Sequence, residues 1–590
     1  MKTTFGCTVG MVTALSLILL SNSTHLIGQD LHAPSDIRRV TQEPAELDQD
    51  RIHLGWEFRA EGSDTWVSVQ VPSPFEAHQG VGFNGVGWYR KRISSCFTNQ
   101  ANFAGKRLML VFHGVATHAT VFCNGQKVAE HLGGWTPFEC DITEGVLKAS
   151  PGQCELIVRV DELVGHNSQG FLPVFAPHFG GIWQGVQSQW RSDVWIDTQE
   201  LFLWGQVSAG SMQYQIPMGC VGAIAKRDLL DSTNCDAASK LRICLRYRLK
   251  KPGAPGDLPW TEHWIDLSQE QVIQLAETGR LVASGAIDVP APALWSPETP
   301  ELYEVQIGLE RRADSHWLDW VSTQTAFREV RVDGSRMLLN GRPLRVRGIL
   351  NWGYAPPSTA PSLDPEHWQK ELQLVKDYGF NLMKFCLWVP PKEYLQMADQ
   401  MGVLVWIEYP TWHSAWTKEA LPTLEREFDE FFCYDRNHPS VILRSLTCET
   451  GPSADLEVIR KLYDRCHERI PGSIVEDDSS WIQWNRIHDF YDDHPYGNNH
   501  TWVPTLSRLK QYIDEHGVKP LVLGEAIAAD TWLVLAVWIP SGRLDRKPPC
   551  RHSSVVKIPK RRWIRFGFPF RIAMHPSGLG PVRWIWGKTR

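Results

Sequence analysis

The sequence predicts a multidomain protein of the β plus α/β class. It should hold an N-terminal β-sandwich, a second, smaller β-sandwich and a C-terminal (β/α)8 barrel. Three observations predict this. At 590 residues the chain exceeds one ordinary domain, and length alone points to two to four. Up to about residue 332, apolar residues alternate in short runs broken by turns. After about residue 335 the rhythm becomes strand, helix, strand, the pattern that builds a parallel sheet.

Residues 1–28 read as an export signal: Lys2, an apolar run from Val9 to Leu20, then Ser21-Asn22-Ser23. The run is too short to span a bilayer comfortably. An exported protein, periplasmic or extracellular, is expected, with no membrane span after signal cleavage. The 13 Cys show no CxxC or His-rich metal spacing. Export permits disulfides, but pairing cannot be read from spacing. Cys386 and Cys448 lie in apolar runs and read as buried free thiols.

Residues 45–200 form the first predicted domain. RLMLVF (Arg107–Phe112) and ATVFCNGQKV (Ala119–Val128) are strand-like, and Asn124-Gly125 inside the second is a strong hairpin signal. Residues 201–332 continue the β pattern through LRICLRYRL (Leu241–Leu249) and LYEVQIGLE (Leu302–Glu310).

Residues 335–540 form the predicted barrel domain. Leu344–Leu350 reads as its first strand. A helix follows, with Asp364 as N-cap, Pro365 at the first helical position and Gly379 just past the end. Strands are read at Asn381–Leu387, Val403–Glu408, Val441–Cys448, Ser473–Asp478, Ile487–His494 and Lys519–Glu525. Between them, helices carry Leu424, Phe428 and Phe431, then Leu456, Ile459, Leu462 and Cys466, on one face. Seven such strands favour a closed barrel, whose C-terminal strand ends line the mouth that carries the chemistry.

Those strand ends are acidic: Glu408, Glu449, Asp477–Asp478, Asp492–Asp493 and Glu525. The sequence HPSVILRSLTCETG drives an apolar strand straight into Glu449. Such a carboxylate belongs in a cleft with partners, because unpaired burial costs several kcal/mol or more. No glycine-rich phosphate motif follows a strand, and a net charge of −6 implies no polyanion partner. A carboxylate-lined mouth with Trp nearby, in a chain of 27 Trp, suits neutral polyhydroxylated substrates.

The sequence resembles glycoside hydrolase family 2, with its β-galactosidases, β-glucuronidases and β-mannosidases. The resemblance rests on GVGWYRK, FHGVATHATVFCNGQ, GGWTPFECDIT and GGIW in the first domain. It continues in LWSPETPELY and DGSRMLLNGRPLRVRG, then in GFNLMKF, ADQMGVLVWIE, RNHPSVILRSL and LVLGE. It implies a jelly-roll sugar-binding domain, an immunoglobulin-like sandwich and a TIM barrel. It also implies a retaining O-glycosidase acting on a terminal β-linked sugar, with Glu449 as general acid/base and Glu525 as nucleophile. Two carboxyls about 5–5.5 Å apart would carry that double displacement. Tyr496 resembles the tyrosine that hydrogen-bonds the nucleophile. Asn351, Trp352, Trp388, His494 and Glu408 are substrate-binding candidates, each with core packing or a structural role as its alternative; for Glu408 that role is an ion pair with Lys384. No organic cofactor and no metal ligand set are implied, and neither sugar identity nor oligomeric state is legible.

The pattern breaks in two places. The family usually has Asn before its acid/base Glu, donating to the sugar 2-hydroxyl. Here Cys448, a weak donor, holds that position and joins the substrate-binding candidates. After about residue 532 the chain changes character. Residues 541–590 carry 13 Lys/Arg against one acidic residue, Asp545, and a complete eighth strand is not legible. So abrupt a switch reads as a frame error or an unrelated basic tail. Two alternatives therefore stand beside the enzyme: a non-catalytic carbohydrate-binding protein on the same scaffold, or a truncated inactive product. Binding of nucleic acid by the tail is disfavoured for an exported chain.

Overall fold

The computed structural model describes residues 52, 54–93, 105–150, 153–162, 178–230, 240–250, 258–355, 358–412, 416–495 and 499–525. At 38–39, 224 and 499–506 only the backbone is described. The expected export signal, Tyr496 and the basic tail lie outside the described residues.

The first sandwich packs two sheets. One has six strands in the order Val67–Val69, Trp56–Ala60, Val86–Arg92, Glu155–Asp161, His118–Cys123, Gln126–Leu132; the other orders Val186–Ser192, Lys106–Phe112, Phe138–Asp141. Alternating residues such as Leu108, Leu110, Val121, Val158 and Val160 fill the space between them. The Asn124-Gly125 turn joins His118–Cys123 to Gln126–Leu132. Its φ values of 49° and 77° are the left-handed pair that a two-residue hairpin needs to match strand twist.

The second sandwich sets Leu302–Arg311, flanked by Leu241–Lys250 and His316–Thr325, against a sheet centred on Ser211–Cys220. Two helices interrupt the expected all-β pattern, Ala223–Leu230 and Gln269–Thr278. The second begins with a capping box: the Ser268 hydroxyl accepts from Gln271 N, and the Gln271 side chain accepts from Ser268 N. That satisfies two orphan donors, while Val272, Leu275 and Ala276 bury one face.

The third unit is the barrel. Its strands are β1 (Gly348–Asn351), β2 (Leu382–Cys386), β3 (Leu404–Glu408), β4 (Val441–Cys448), β5 (Ile474–Ser479), β6 (Tyr491–Asp492) and β7 (Leu521–Val522). Strands β1 to β5 pair in parallel in sequence order, and β6 pairs with β7 in parallel. The eighth strand position would follow Glu525, outside the described residues. The helices are α1 (Pro365–Asp377), α2 (Lys392–Met401), α3 (Leu421–Asp435), α4 (Leu456–Arg469) and α5 (Asn499–His516).

Helix α1 starts as expected: the Asp364 carboxylate accepts from Glu366 N and Pro365 opens the first turn. Its Trp368, Leu372 and Val375 are buried against strand residues such as Phe385 and Val405. Helix α5 escaped the sequence reading. Strand β6 is far shorter than the eight residues expected. The chain from Ile487 to Asp489 instead runs back along β5, with Asp477 N donating to Ile487 O and Asp489 N to Val475 O. Before β1, Arg342–Leu344 pairs with Arg336–Leu339 in a short antiparallel meander, so the barrel opens at Gly348 rather than at Leu344.

The bottom of the barrel is sealed by the preceding sandwich. Trp295, Leu302, Ala326 and Met337 share one core with Leu382, Leu404, Ile442 and Ile474 from the strands. On another side, Trp135, Phe179 and Trp183 of the first sandwich join the barrel's outer core.

Candidate active site

Strand β4 is buried along its whole length, and the chain turns sharply as it emerges. Glu449 adopts φ 48°, a left-handed conformation that costs a non-glycine residue about 1–3 kcal/mol. Hydrogen bonds from β5 hold it there. Glu449 N donates to Ser479 O at 3.1 Å. Asp478, wholly buried, accepts from Thr450 N at 3.0 Å and Gly451 N at 3.3 Å. The acidic run expected to end β5 at the mouth therefore lies inside the strand, and Asp478 acts on the backbone that aims Glu449.

The Glu449 carboxylate faces two partners. His494 Nδ1 lies 3.1 Å from Oε1, and Trp412 Nε1 lies 3.5 Å from Oε2. His494 is fully buried, and its Nε2 is 3.4 Å from Asp492 Oδ2. Burial alone would lower the imidazole pKa. Hydrogen bonds to Asp492 and Glu449, with the Glu525 charge, outweigh it and push the value up to about 10. His494 is thus a cation at neutral pH.

Glu525 follows β7 by three residues and stands opposite. Lys384 Nζ on β2 lies 4.0 Å from Glu525 Oε1 and 2.6 Å from Glu408 Oε2 at the end of β3. Burial opposes the ammonium charge, but Glu408 and Glu525 hold its pKa well above that of an ordinary lysine. The Cys386 thiol donates to Glu408 Oε1 at 2.9 Å and reaches Glu525 Oε1 at 3.5 Å. Burial, with both carboxylates, keeps that thiol protonated.

One ligand atom each from Glu449, His494 and Glu525 falls within a 4.8 Å sphere of mutual separation. The two carboxyls therefore meet across the barrel mouth although 76 residues separate them in sequence. One oxygen of each carboxyl thus lies within 4.8 Å of the other, near enough for both groups to reach one bond. The same convergence is also of a size that could hold a divalent cation.

The other sequence-predicted residues fall into three groups. Glu408 lies beneath Glu525, paired to Lys384 and Cys386. Cys448, 2% exposed, packs with Cys386 and Leu387, and burial, with the Glu408 and Glu525 charges, raises its thiol pKa far above the ordinary value. Asn351 and Trp388 sit together: Trp388 Nε1 donates to Asn351 O at 2.9 Å, and Asn351 Nδ2 donates to Glu371 at 3.0 Å. They line a small cavity with Trp368 and Tyr394. Trp352 is exposed. Sequence reading gave no role to Trp412 or Ser479 and placed Asp478 only among the carboxylates of the mouth. The acidic run before Ser479 was the one sequence signal for β5.

Asp492 ties the two sides together. Its Oδ1 accepts from Gly524 N at 2.5 Å, next to the nucleophile candidate, and its Oδ2 accepts from Ser479 Oγ at 2.8 Å. The side chain that orients His494 thus also anchors the backbone carrying Glu525.

Three family models match in chain order. These are glycosyl hydrolases family 2, sugar binding domain, over residues 32–168; glycosyl hydrolases family 2 over 255–328; and glycosyl hydrolases family 2, TIM barrel domain, over 330–530. The chain is 26% identical over 362 residues to a β-galactosidase of Thermoanaerobacter pseudethanolicus, covering 61% of this chain and 44% of that protein. It is 23% identical over 458 residues to the β-glucuronidase of Sus scrofa, covering 70% and 65%. It spans about half the length of the first curated relatives it matches. Among solved structures, Bacteroides uniformis β-glucuronidase superposes with a TM-score of 0.62 at 22% identity, covering 80% of this chain and 58% of that one, which speaks to the fold. Three matched domains in the family's order, carried on the two sandwiches and the barrel, make this chain a member of glycosyl hydrolases family 2.

Proposed function

We propose that the protein is a retaining β-glycosidase that removes a terminal β-linked sugar by double displacement. The convergence of Glu449 and Glu525 within 4.8 Å carries the reading. Glu525, beside the Lys384 ammonium and the Cys386 thiol, is the carboxylate placed to attack the anomeric carbon. As the C–O bond to the leaving group breaks, its oxygen takes a proton from Glu449. A glycosyl ester on Glu525 results. Glu449 then accepts a proton from water as that water attacks the same carbon and releases Glu525. His494, cationic and 3.1 Å from Glu449, supports both half-reactions by sharing a proton with the acid/base carboxyl.

The test is turnover of a panel of aryl β-glycosides by the full chain. The panel includes β-galactosides and β-glucuronides because relatives bear those names. Glu449→Gln and Glu525→Gln should each lower kcat/KM by about 10²-fold or more. With azide, Glu525→Gly should form the α-glycosyl azide and Glu449→Gly the β-glycosyl azide. Turnover untouched by either substitution sinks the reading. Binding of sugar without turnover on any panel member would instead support a carbohydrate-binding protein on this scaffold. We further propose export: the Val9–Leu20 apolar run supports it, and a mature N-terminus between Ser21 and Gln29 in secreted material is the expected finding.

A further inference from the structure

The two sides of the carboxyl pair differ in chemistry. Around Glu525 stand Lys384, Glu408 and Cys386, all buried, and Asp492 holds the backbone beside it. Around Glu449 the neighbours are aromatic. Trp412 Nε1 lies 3.5 Å from its Oε2. The Trp481 ring lies 5.9 Å, centroid to centroid, from the His494 ring, whose Nδ1 meets Glu449 Oε1. A Cβ on Gly451, just past Glu449, would stand 3.7 Å from the Trp484 ring. Trp481 and Trp484 meet edge to face at 4.8 Å.

Trp481 precedes, and Trp484 ends, the 3₁₀ turn Ile482–Trp484 that follows β5. The turn is pinned from beneath. Ile482 is fully buried, and its N donates to Asp493 Oδ1 at 3.0 Å. Asn485 Nδ2 donates to Asp478 O at 2.6 Å, and Asn485 Oδ1 accepts from Asp492 N at 2.9 Å. Asp478 also holds Thr450 N and Gly451 N. Buried hydrogen bonds thus fix the turn to the same backbone that aims Glu449, while both indoles stay half-buried. A rigid aromatic pair of this kind loses little freedom when a ligand meets it. Its faces can cover the apolar face of another ring and exclude water there.

In double displacement the acid/base carboxyl meets the leaving oxygen, so the leaving group lies on that carboxyl's side of the pair. Resting on the glycosidase reading, we propose that Trp481 and Trp484 form the leaving-group site. It selects substrates whose leaving group is a ring with an apolar face, an aryl ring or a second sugar, over a small alkyl group. The charged groups around Glu525 face the sugar that is transferred; the indoles face what departs.

Binding is measured first, by calorimetric titration of the Glu449→Gln/Glu525→Gln protein, which lacks both reacting carboxylates. The probes are phenyl and methyl β-D-galactoside, phenyl and methyl β-D-glucuronide, and lactose. A ring-bearing ligand should bind about tenfold or more tighter than its methyl counterpart. Preference for the phenyl glycoside supports an aryl leaving group and preference for lactose a sugar one; either carries the proposal. The preference should vanish when Trp481→Ala/Trp484→Ala is added and persist with Trp484→Phe, which keeps a ring. In the protein with both carboxylates, Trp484→Ala should lower kcat/KM about tenfold more on the preferred ring-bearing substrate than on its methyl counterpart. Comparing variant with wild type on the same substrate cancels the leaving group's intrinsic reactivity. Equal binding of ring-bearing and methyl ligands, no binding of any, or a preference that survives in folded Trp481→Ala/Trp484→Ala protein overturns the proposal. The glycosidase reading fails separately, by absent turnover with the ring preference in binding intact.

Discussion

Lys384 decides the charge of the site. It is 3% exposed and lies between Glu408 and Glu525. Removing one partner of a buried pair leaves an uncompensated charge and costs about 3–5 kcal/mol. Lys384→Met should therefore lower urea stability by about that amount, while Lys384→Met/Glu408→Leu should recover much of it. A double variant no more stable than the single one would show that Glu408 is not the stranded group. His494 gives a pH signature. Its pKa rises from 6.5 to about 10 in the fold. The stability that its cationic contacts contribute is fully present below about pH 6.5 and is lost as pH climbs through about 10. The gap in unfolding free energy between wild type and His494→Gln should narrow over that window; a gap independent of pH would refute the ionic role.

The elements that carry these residues are held by local chemistry at their ends. The Asp364 cap of α1 accepts from Glu366 N at 3.0 Å, and Asp364→Ala should cost about 1 kcal/mol in equilibrium unfolding. Gly402 ends α2 with φ 68°, and a Cβ there would meet Pro297 O at 2.4 Å. A left-handed non-glycine residue costs about 1–3 kcal/mol, and here a clash with backbone adds to it. Gly402→Ala should thus destabilise more than Asp364→Ala in the same measurement. Equal effects would mean that the contact with Pro297 relaxes freely. The end of α1 was legible because Asp, Pro and Gly stand at the positions that backbone hydrogen bonding demands. The short β6 was not, because an apolar-polar run such as Ile487–His494 gives no sign that it folds back on β5.

Across the whole molecule, the three units share cores and so should melt together. Arg328 of the second sandwich donates to Pro439 O at 2.6 Å and Val441 O at 2.8 Å at the start of β4. Glu430 on α3 receives the Thr136 hydroxyl of the first sandwich at 2.6 Å. Trp135, 1% exposed, packs into the barrel's outer core. Trp135→Ala should cost about 3–5 kcal/mol and lower one common calorimetric transition. Two transitions, with the barrel's unmoved, would show that the packing is not shared.

The sequence by itself determined the two kinds of layer, the order of the three units, the capped helices and the two carboxylates at strand ends. Each is written in local periodicity, in caps or in motif, and needs no knowledge of distant neighbours. Tertiary structure alone decided that Glu449 and Glu525 meet, that Asp492 anchors both sides of them, and that Asn351 and Trp388 turn toward α1 and α2. Contacts over tens of residues depend on how strands stagger around a closed sheet, and a buried charge finds its partner only after the chain has chosen that stagger.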